Sequence, residues 1–178
     1  MRTSNIFKIL IILNEIFIIL AFGIKFTNLE CHGFDPEFVQ IPLCRLKVVA
    51  RNKVSVNYHL KLLQLPLNNN LTVRGQLLRK SNEYRPFIYN TSTDFCRFLK
   101  NGHKFLFWKI ILDIARPFTN VNHSCPLNHD IIVANLSLNE SDMKLILFPA
   151  GDYLLRLYLD AYQKPKININ AYFAIKDN

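Results

Sequence analysis

Apolar and polar residues alternate with a period of two along most of this chain, a pattern that predicts half-buried β-strands. The clearest segment covers residues 53–62, where Val54, Val56, Tyr58 and Leu60 alternate with polar side chains. The same pattern is found at residues 45–51 and 166–175, and further strand candidates cover residues 71–79, 130–138 and 152–160. Proline, asparagine and glycine separate these segments, as expected for turns. The sequence therefore predicts six or seven strands in one antiparallel β-sandwich.

One region departs from this alternation and predicts a short helical insertion. Residues 91–94 offer N-cap side chains, apolar residues follow at helical spacing, and Asn101-Gly102 ends the segment. A second helix is predicted over residues 104–115, before Pro117, because its apolar residues recur three and four apart. These residues are Phe105, Trp108, Ile111, Leu112 and Ala115. We expect the two helices to form a small cover on the sandwich.

The amino-terminal residues resemble a secretory signal peptide. Arg2 and Lys8 precede apolar runs at 9–13 and 16–24, and Ala21 and Gly23 are spaced like the small residues before a cleavage site. An uncleaved membrane anchor is the alternative, but a spanning helix needs about 20 continuous apolar residues, and residues 14–15 are polar. We predict a leader at residues 1–23, a single domain at residues 24–178, and no permanent membrane anchor.

The four cysteines all follow the predicted leader, and an even count in an exported chain predicts two disulfides. Three connectivities exist for four cysteines. The shortest loops favour Cys31–Cys44 together with Cys96–Cys125, and four free thiols are the alternative.

Five N-x-[ST] sequons, the acceptor sites for N-glycosylation, also indicate an exported protein, although an asparagine-rich chain produces some of them by chance. They begin at Asn70, Asn90, Asn122, Asn135 and Asn139. The leader, the cysteines and the sequons together predict a secreted, extracellular glycoprotein.

The chain is basic, with a net charge of +9 that becomes +8 once Arg2, Lys8 and Glu15 are removed with the leader. Arg45, Lys47 and Arg51 share one strand face. This basic face would gain Lys53, Lys61, Arg74, Arg79 and Lys80 if the neighbouring strands pair. It is either a landing surface for anionic lipid or a cell-surface receptor, or an ordinary solvated face that discourages edge aggregation. An exported chain is not expected to meet nucleic acid.

Enzymatic chemistry finds no support in the sequence. There is no nucleophile elbow, zinc-binding H-E-x-x-H or phosphate-binding glycine loop, and the five histidines lack metal-ligand spacing. His123 and His129 flank Cys125, but solvated loop histidines are the simpler interpretation. Asp94, two residues before Cys96, is more simply a helix cap than part of an acid–thiol pair. We expect no enzyme, no catalytic or metal site and no cofactor.

Half of the residues are hydrophobic, which is high for a small domain. Such a surplus either packs as a solid core or surrounds a hydrophobic ligand. From the apolar pattern, a ligand would contact inward strand residues and a wall or lid of helical aromatics. The predicted strand residues are Val56, Tyr58, Leu60, Val73, Leu155, Leu157, Ile169 and Phe173. The predicted helical residues are Phe98, Phe105 and Trp108.

Five segments, in order and spacing, resemble a family of secreted fly proteins known as domain of unknown function 1091. They are Cys44-Arg45-Leu46, Tyr84-Arg85-Pro86-Phe87-Ile88-Tyr89-Asn90, Asp94-Phe95-Cys96, Asn122-His123-Ser124-Cys125-Pro126 and Pro149-Ala150-Gly151-Asp152-Tyr153. The resemblance extends from about residue 31 to residue 175. Many relatives carry more cysteines than this chain does.

That family is similar to the ML lipid-recognition proteins, which include ganglioside activators and sterol carriers. The resemblance implies an immunoglobulin-like, ML-type β-sandwich whose two sheets part to admit lipid. It also implies a link to chemosensory or pheromone-response proteins, but it assigns no ligand-contacting residue. We therefore expect a secreted binding protein for a lipid, fatty acid, hydrocarbon or sterol. The alternative is an extracellular interaction protein that uses the basic face and holds no ligand.

Overall fold

In a computed structural model, residues 22–51, 53–68, 70–139, 142 and 148–177 are described. The predicted leader lies outside these residues except for its last two positions, which begin the first strand. Cleavage of the leader and its boundary stay predictions.

Eight strands and two short α-helices make up the described chain. The strands are β1 (Phe22–Gly33), β2 (Val39–Ala50), β3 (Lys53–Leu62), β4 (Leu71–Lys80), β5 (Tyr84–Asp94), β6 (Ile131–Ser137), β7 (Gly151–Ala161) and β8 (Lys164–Asp177). The helices are α1 (Phe95–Lys100) and α2 (Leu106–Ala115). Single 3-10 turns at Gly102–Lys104 and Arg116–Phe118 flank α2. The prediction of a mainly β chain with one helical insertion is confirmed.

The strands form two antiparallel sheets. One has five strands in the order β1-β8-β7-β4-β5, and the other has three in the order β2-β3-β6. In β3 the alternation matches burial on one side, because Val56, Leu60 and Leu62 are buried while Lys53 and Lys61 are exposed. β8 is buried on both sides, with Asn168 and Asn170 buried next to Ile167 and Ile169. Buried residues from both sheets meet in shared clusters, such as Val56 and Val133 with Phe26 and Phe173.

Helix α2 packs directly on the inner face of the five-stranded sheet at β4. A Cβ atom added to Gly75 of β4 would lie 2.6 Å from Phe107 Cε1 and 2.7 Å from Trp108 Cη2. Phe107 also packs on Tyr89 of β5, with ring centroids 4.8 Å apart. The helix therefore covers β4 and β5, while the three-stranded sheet packs against β1 and other strands of the larger sheet.

Two disulfides fasten these layers, and both are the pairs favoured by loop length. Cys31–Cys44 joins β1 of the larger sheet to β2 of the smaller one. Cys96–Cys125 joins α1 to the chain segment that leads into β6. The predicted cysteine pairing is confirmed.

Two strands were missing from the sequence prediction, which expected six or seven. β1 pairs with β8 over its whole length, but its first residues had been assigned to the apolar leader. β5 contains Pro86, and its register shifts opposite Gln76 and Leu78 of β4, which disturbs the alternation. β2 also begins at Val39, well before the predicted residue 45.

Candidate functional site

An apolar cavity of about 150 Å³ lies between the two sheets and helix α2. Its walls come from all three layers. Val56 and Leu136 belong to the smaller sheet, Leu77 and Leu155 to the larger sheet, and Ile110 to the helix. None of the described side chains that line it is charged. We call this space the first cavity.

A second cavity of about 150 Å³ adjoins the first. Leu60 and Val133 line it from the smaller sheet, Val73 and Leu159 from the larger one, and Trp108 from α2. Its walls also carry no charged side chain within the described ranges. Both cavities share the side chains of Tyr58, Ile111, Ala115, Leu157 and Ile169. These shared residues form the junction between the two cavities.

Tyr58 is the polar side chain at this junction. Burial raises the pKa of its hydroxyl to about 12, because the phenolate form would lose its hydration. The group is therefore a neutral phenol at any physiological pH, able to donate or accept one hydrogen bond inside apolar walls.

Trp108 is another side chain of these walls that carries a polar atom. It is 6% exposed, and its indole Nε1 has no hydrogen-bond partner among the described residues. Its ring packs against Phe98 and Phe107 at centroid distances of 6.4 and 5.1 Å. These aromatic contacts hold Trp108, a residue of α2, between α1 and β4.

Most of the residues predicted to contact a ligand lie in these walls. Val56, Leu155 and Phe173 line the first cavity. The second cavity is lined by Leu60, Val73 and Trp108, and the junction contains Tyr58, Leu157 and Ile169.

Phe98 and Phe105 line neither cavity. They pack on each other, with ring centroids 6.2 Å apart. Phe98 also packs against the ring of Trp108, which separates it from the second cavity.

Several wall residues were missed. On α2, Phe107, Ile110, Ile111 and Ile114 face the first cavity, and their spacing along one side of a helix was a usable signal. On β1, Ile24, Phe26 and Leu29 line the same cavity. The alternation of Ile24 and Phe26 with Lys25 and Thr27 was also present, but it was hidden by the neighbouring apolar leader.

The basic residues are divided between the two sheets. Arg45, Lys47 and Arg51 are exposed on or just after β2, and β3 adds the exposed lysines Lys53 and Lys61. β4 does not pair with β3, so Arg74, Arg79 and Lys80 belong to the other sheet.

Two of those β4 side chains have partners of their own. Arg74 forms an ion pair with Asp160 at 2.6 Å, and Arg79 donates to the Ala150 carbonyl. The basic face is thus restricted to the β2–β3 hairpin.

The remaining candidates have structural partners. His123 Nε2 lies 2.8 Å from His129 Nε2, and each Nδ1 contacts a backbone carbonyl. Asp94 accepts a hydrogen bond from the Arg97 amide at 2.6 Å, so it is the N-cap of α1 as expected. Within the described ranges, no three potential metal ligands come together. The five sequon asparagines are all exposed.

Within the described part of the chain, no helix has the length and apolarity to span a membrane.

Residues 73–155 match a family described as "Protein of unknown function (DUF1091)". The matched segment runs from β4 into β7 and includes both helices, Cys96 and Cys125. It is shorter than the resemblance seen in the motifs and leaves out Cys31 and Cys44. No curated protein matches this chain.

Proposed function

We propose that this protein binds a neutral hydrophobic small molecule in the two adjoining cavities. The observation that carries the proposal is the pair of adjoining apolar cavities between both sheets and α2. Apolar cavities of this kind stay dry and accept apolar guests. Burial of apolar ligand surface releases about 25 cal/mol per Å², so binding needs no catalytic group.

The walls restrict the charge of the ligand. Burying an ionised group without a partner is strongly unfavourable, and the side chains that the structure describes around both cavities are uncharged. A hydrocarbon, a neutral lipid or a sterol therefore suits the cavities better than an ion. A fatty acid would have to keep its carboxylate outside them. At the junction, the Tyr58 hydroxyl would meet a single oxygen atom of the ligand.

The cavity size restricts the shape of the ligand. Ligand pockets usually measure roughly 300–1,000 Å³, and each cavity here measures about 150 Å³. A slender chain that passes the junction and occupies both cavities fits better than a rigid ring system.

Export of the protein and an immunoglobulin-like, ML-type sandwich are part of the same proposal. The two disulfides support export, because such bonds persist in oxidising compartments. The ML-type fold, insect origin and a chemosensory role rest on the motif resemblance, and the mode of action is binding rather than catalysis.

The test combines extraction with a substitution at the junction. Protein secreted from insect cells is analysed by native mass spectrometry and extracted with organic solvent, and binding of the slender, neutral fluorescent dye methyl cis-parinarate is titrated by fluorescence. Ile111→Trp fills the junction and should abolish binding of the dye. Leu106→Trp is the matched control, because Leu106 lies on the same helix but is 66% exposed.

Thermal melting shows whether each variant remains folded, and Leu157→Phe supplies a milder obstruction of the same junction. A wild-type protein without extractable ligand or saturable dye binding contradicts the proposal. Equal dye binding by folded Ile111→Trp and Leu106→Trp variants contradicts it as well.

A further inference from the structure

The hairpin that connects β2 and β3 extends beyond the rest of its sheet. β3 pairs with β6 only from Ser55 to Leu60, where Ser55 lies opposite Ser137. Residues 48–51 and 53 therefore have no third strand beside them among the described parts of the chain. We call these residues the hairpin tip.

The hairpin tip combines exposed apolar side chains with positive charge. Val48 is 75% exposed and Val49 is 44% exposed. Lys47, Arg51 and Lys53 are exposed around them. No acidic residue occurs between positions 45 and 53. Two exposed valines within a basic hairpin are not needed to protect a sheet edge, for which the lysines would suffice.

Other basic residues lie at the same end of the molecule. Leu46 and Val54 pack on the core cluster that contains Phe173 and Ile175, and the next residue of β8 is the exposed Lys176. Lys80 ends β4 at this end too, since Arg79 pairs with the cluster residue Tyr153. After β6, the carboxylate of Asp142 accepts a hydrogen bond from the Asn139 amide.

We propose that the hairpin tip docks the protein onto an anionic lipid bilayer. Val48 and Val49 would enter the interfacial region, while Lys47, Arg51 and Lys53 would face the phosphate and carboxylate head groups. Each basic residue near an anionic membrane surface strengthens binding about fivefold, and buried apolar area adds to this attraction. An acidic soluble partner would use the same basic residues but would leave the valines in water.

The opposite end of the molecule has a different character. Phe34 is 54% exposed there, but it is followed by the acidic residues Asp35 and Glu37. Asp35 is paired with Lys166, but Glu37 leaves an acidic side chain near Phe34 in the sequence. Around Val48 and Val49, by contrast, residues 45–53 contain no acidic side chain. The charge next to the exposed apolar side chains therefore favours the hairpin tip.

Docking in this orientation would bring the first cavity close to the membrane. Val48 pairs with Val54, and Val56, two residues along β3, lines the first cavity. Two strand residues span roughly 7 Å. This inference goes beyond the proposed ligand binding, because docking would persist even if the cavities held nothing.

The test is flotation of the secreted protein with phosphatidylcholine vesicles that contain or lack 30 mol% phosphatidylserine. We expect binding only to the anionic vesicles, and weaker binding as the salt concentration rises. Arg51→Glu with Lys53→Glu should reduce binding at least tenfold. Lys61→Glu with Lys164→Glu is the matched control, since it makes the same change in charge at the opposite end, and it should retain most of the binding.

A second pair of variants tests the valines. Val48→Ser with Val49→Ser should weaken vesicle binding several-fold, whereas Phe34→Ser should not. Trp108 is the chain's one tryptophan, so Val48→Trp in a Trp108→Phe background provides a reporter at the tip. Its emission should shift to shorter wavelength only with anionic vesicles. Thermal melting confirms that each variant is folded.

Three results would overturn the inference. If vesicle binding by the wild-type protein does not depend on the phosphatidylserine content, the protein has no surface that docks onto anionic lipid. Equal losses from the two charge reversals show a general effect of net charge. Unchanged vesicle binding by the valine double variant, with charge-dependent binding to heparin, indicates a soluble polyanion as the partner. Loss of dye binding in Ile111→Trp should leave vesicle binding intact, so failure of either proposal is recognised separately.

Discussion

Gly75 is the position where α2 approaches the larger sheet most closely, and we predict that Gly75→Ala pushes the helix away. Gly75 does not have a positive φ, so its lack of a side chain is needed for space rather than for backbone conformation. The new Cβ would lie 2.6 Å from Phe107 Cε1 and 2.7 Å from Trp108 Cη2. Carbon atoms normally pack about 3.5–4.0 Å apart, so each ring must withdraw by about 1 Å.

The expected loss of stability follows from two opposing effects. Overpacking in a core destabilises by about 1–3 kcal/mol. Replacing glycine by alanine in an ordinary conformation restricts the unfolded chain and stabilises by about 0.4–1 kcal/mol. The net destabilisation is therefore about 0–2.6 kcal/mol. For a domain of this size, each kcal/mol lowers the melting temperature by about 2–4 °C.

The assay is thermal unfolding followed by circular dichroism, with Gly102→Ala as the control. A Cβ at Gly102 would have one neighbour, Phe98 Cε2, at an ordinary 3.8 Å, so this variant should match the wild type or melt slightly higher. In a Trp108→Leu background, Gly75→Ala should destabilise less, because one of the two obstructing rings is gone. Equal melting temperatures for Gly75→Ala and Gly102→Ala would refute the close packing of α2 on β4.

Two further predictions concern acid stability and cross-linking. The Asp130 carboxylate binds His59 Nε2 at 2.7 Å and the Leu62 amide at 3.0 Å, and mainly the His59 hydrogen bond holds its pKa below the ordinary value of 3.8. The contribution of this carboxylate to the unfolding free energy is present above pH 3.8 and is lost as the pH falls through the lowered pKa. Asp130→Asn should therefore flatten the decrease in unfolding free energy between pH 5 and pH 2, roughly the range where carboxylates titrate. The free energy is measured by urea unfolding at each pH, and an unchanged slope against pH would contradict this prediction. Replacing Cys31 and Cys44 together by serine should lower the unfolding free energy by about 2–4 kcal/mol, measured by urea unfolding without reductant, and an unchanged midpoint would show that the bond does not constrain the chain.

Local patterns predicted most of the architecture because strand and helix periods record which side of an element is buried. The alternation at residues 53–62 and 166–175 appears in the structure as β3 and β8, and the spacing of Trp108, Ile111 and Ala115 appears as α2. The patterns failed where two signals overlapped. β1 was obscured by the adjoining apolar leader, and β5 by Pro86 and the register shift near it.

The candidate site, like the fold, could be predicted from the sequence only in part. Inward-facing strand residues can be predicted from alternation alone, and Val56, Tyr58, Leu157 and Ile169, which the sequence predicts to face inward, line the cavities. Alternation gives a direction but no distance between layers, so it could not distinguish a solid core from a hollow one. It also misassigned Phe98, which packs behind Trp108 instead of lining a cavity.

The amino-acid sequence specifies the mainly β architecture, the helical insertion and the apolar inner faces, since each depends on neighbours a few residues apart. Cysteine spacing also favoured the correct disulfide pairs, because closing short loops loses little chain entropy. Tertiary structure alone decided that β3 and β4 lie in different sheets, which separates Arg45 and Lys47 from Arg74. It also decided that α2 packs on Gly75 and leaves space around Tyr58. Both outcomes depend on contacts between residues far apart in the sequence and on the distance between packed layers. A local sequence pattern contains no information about that distance.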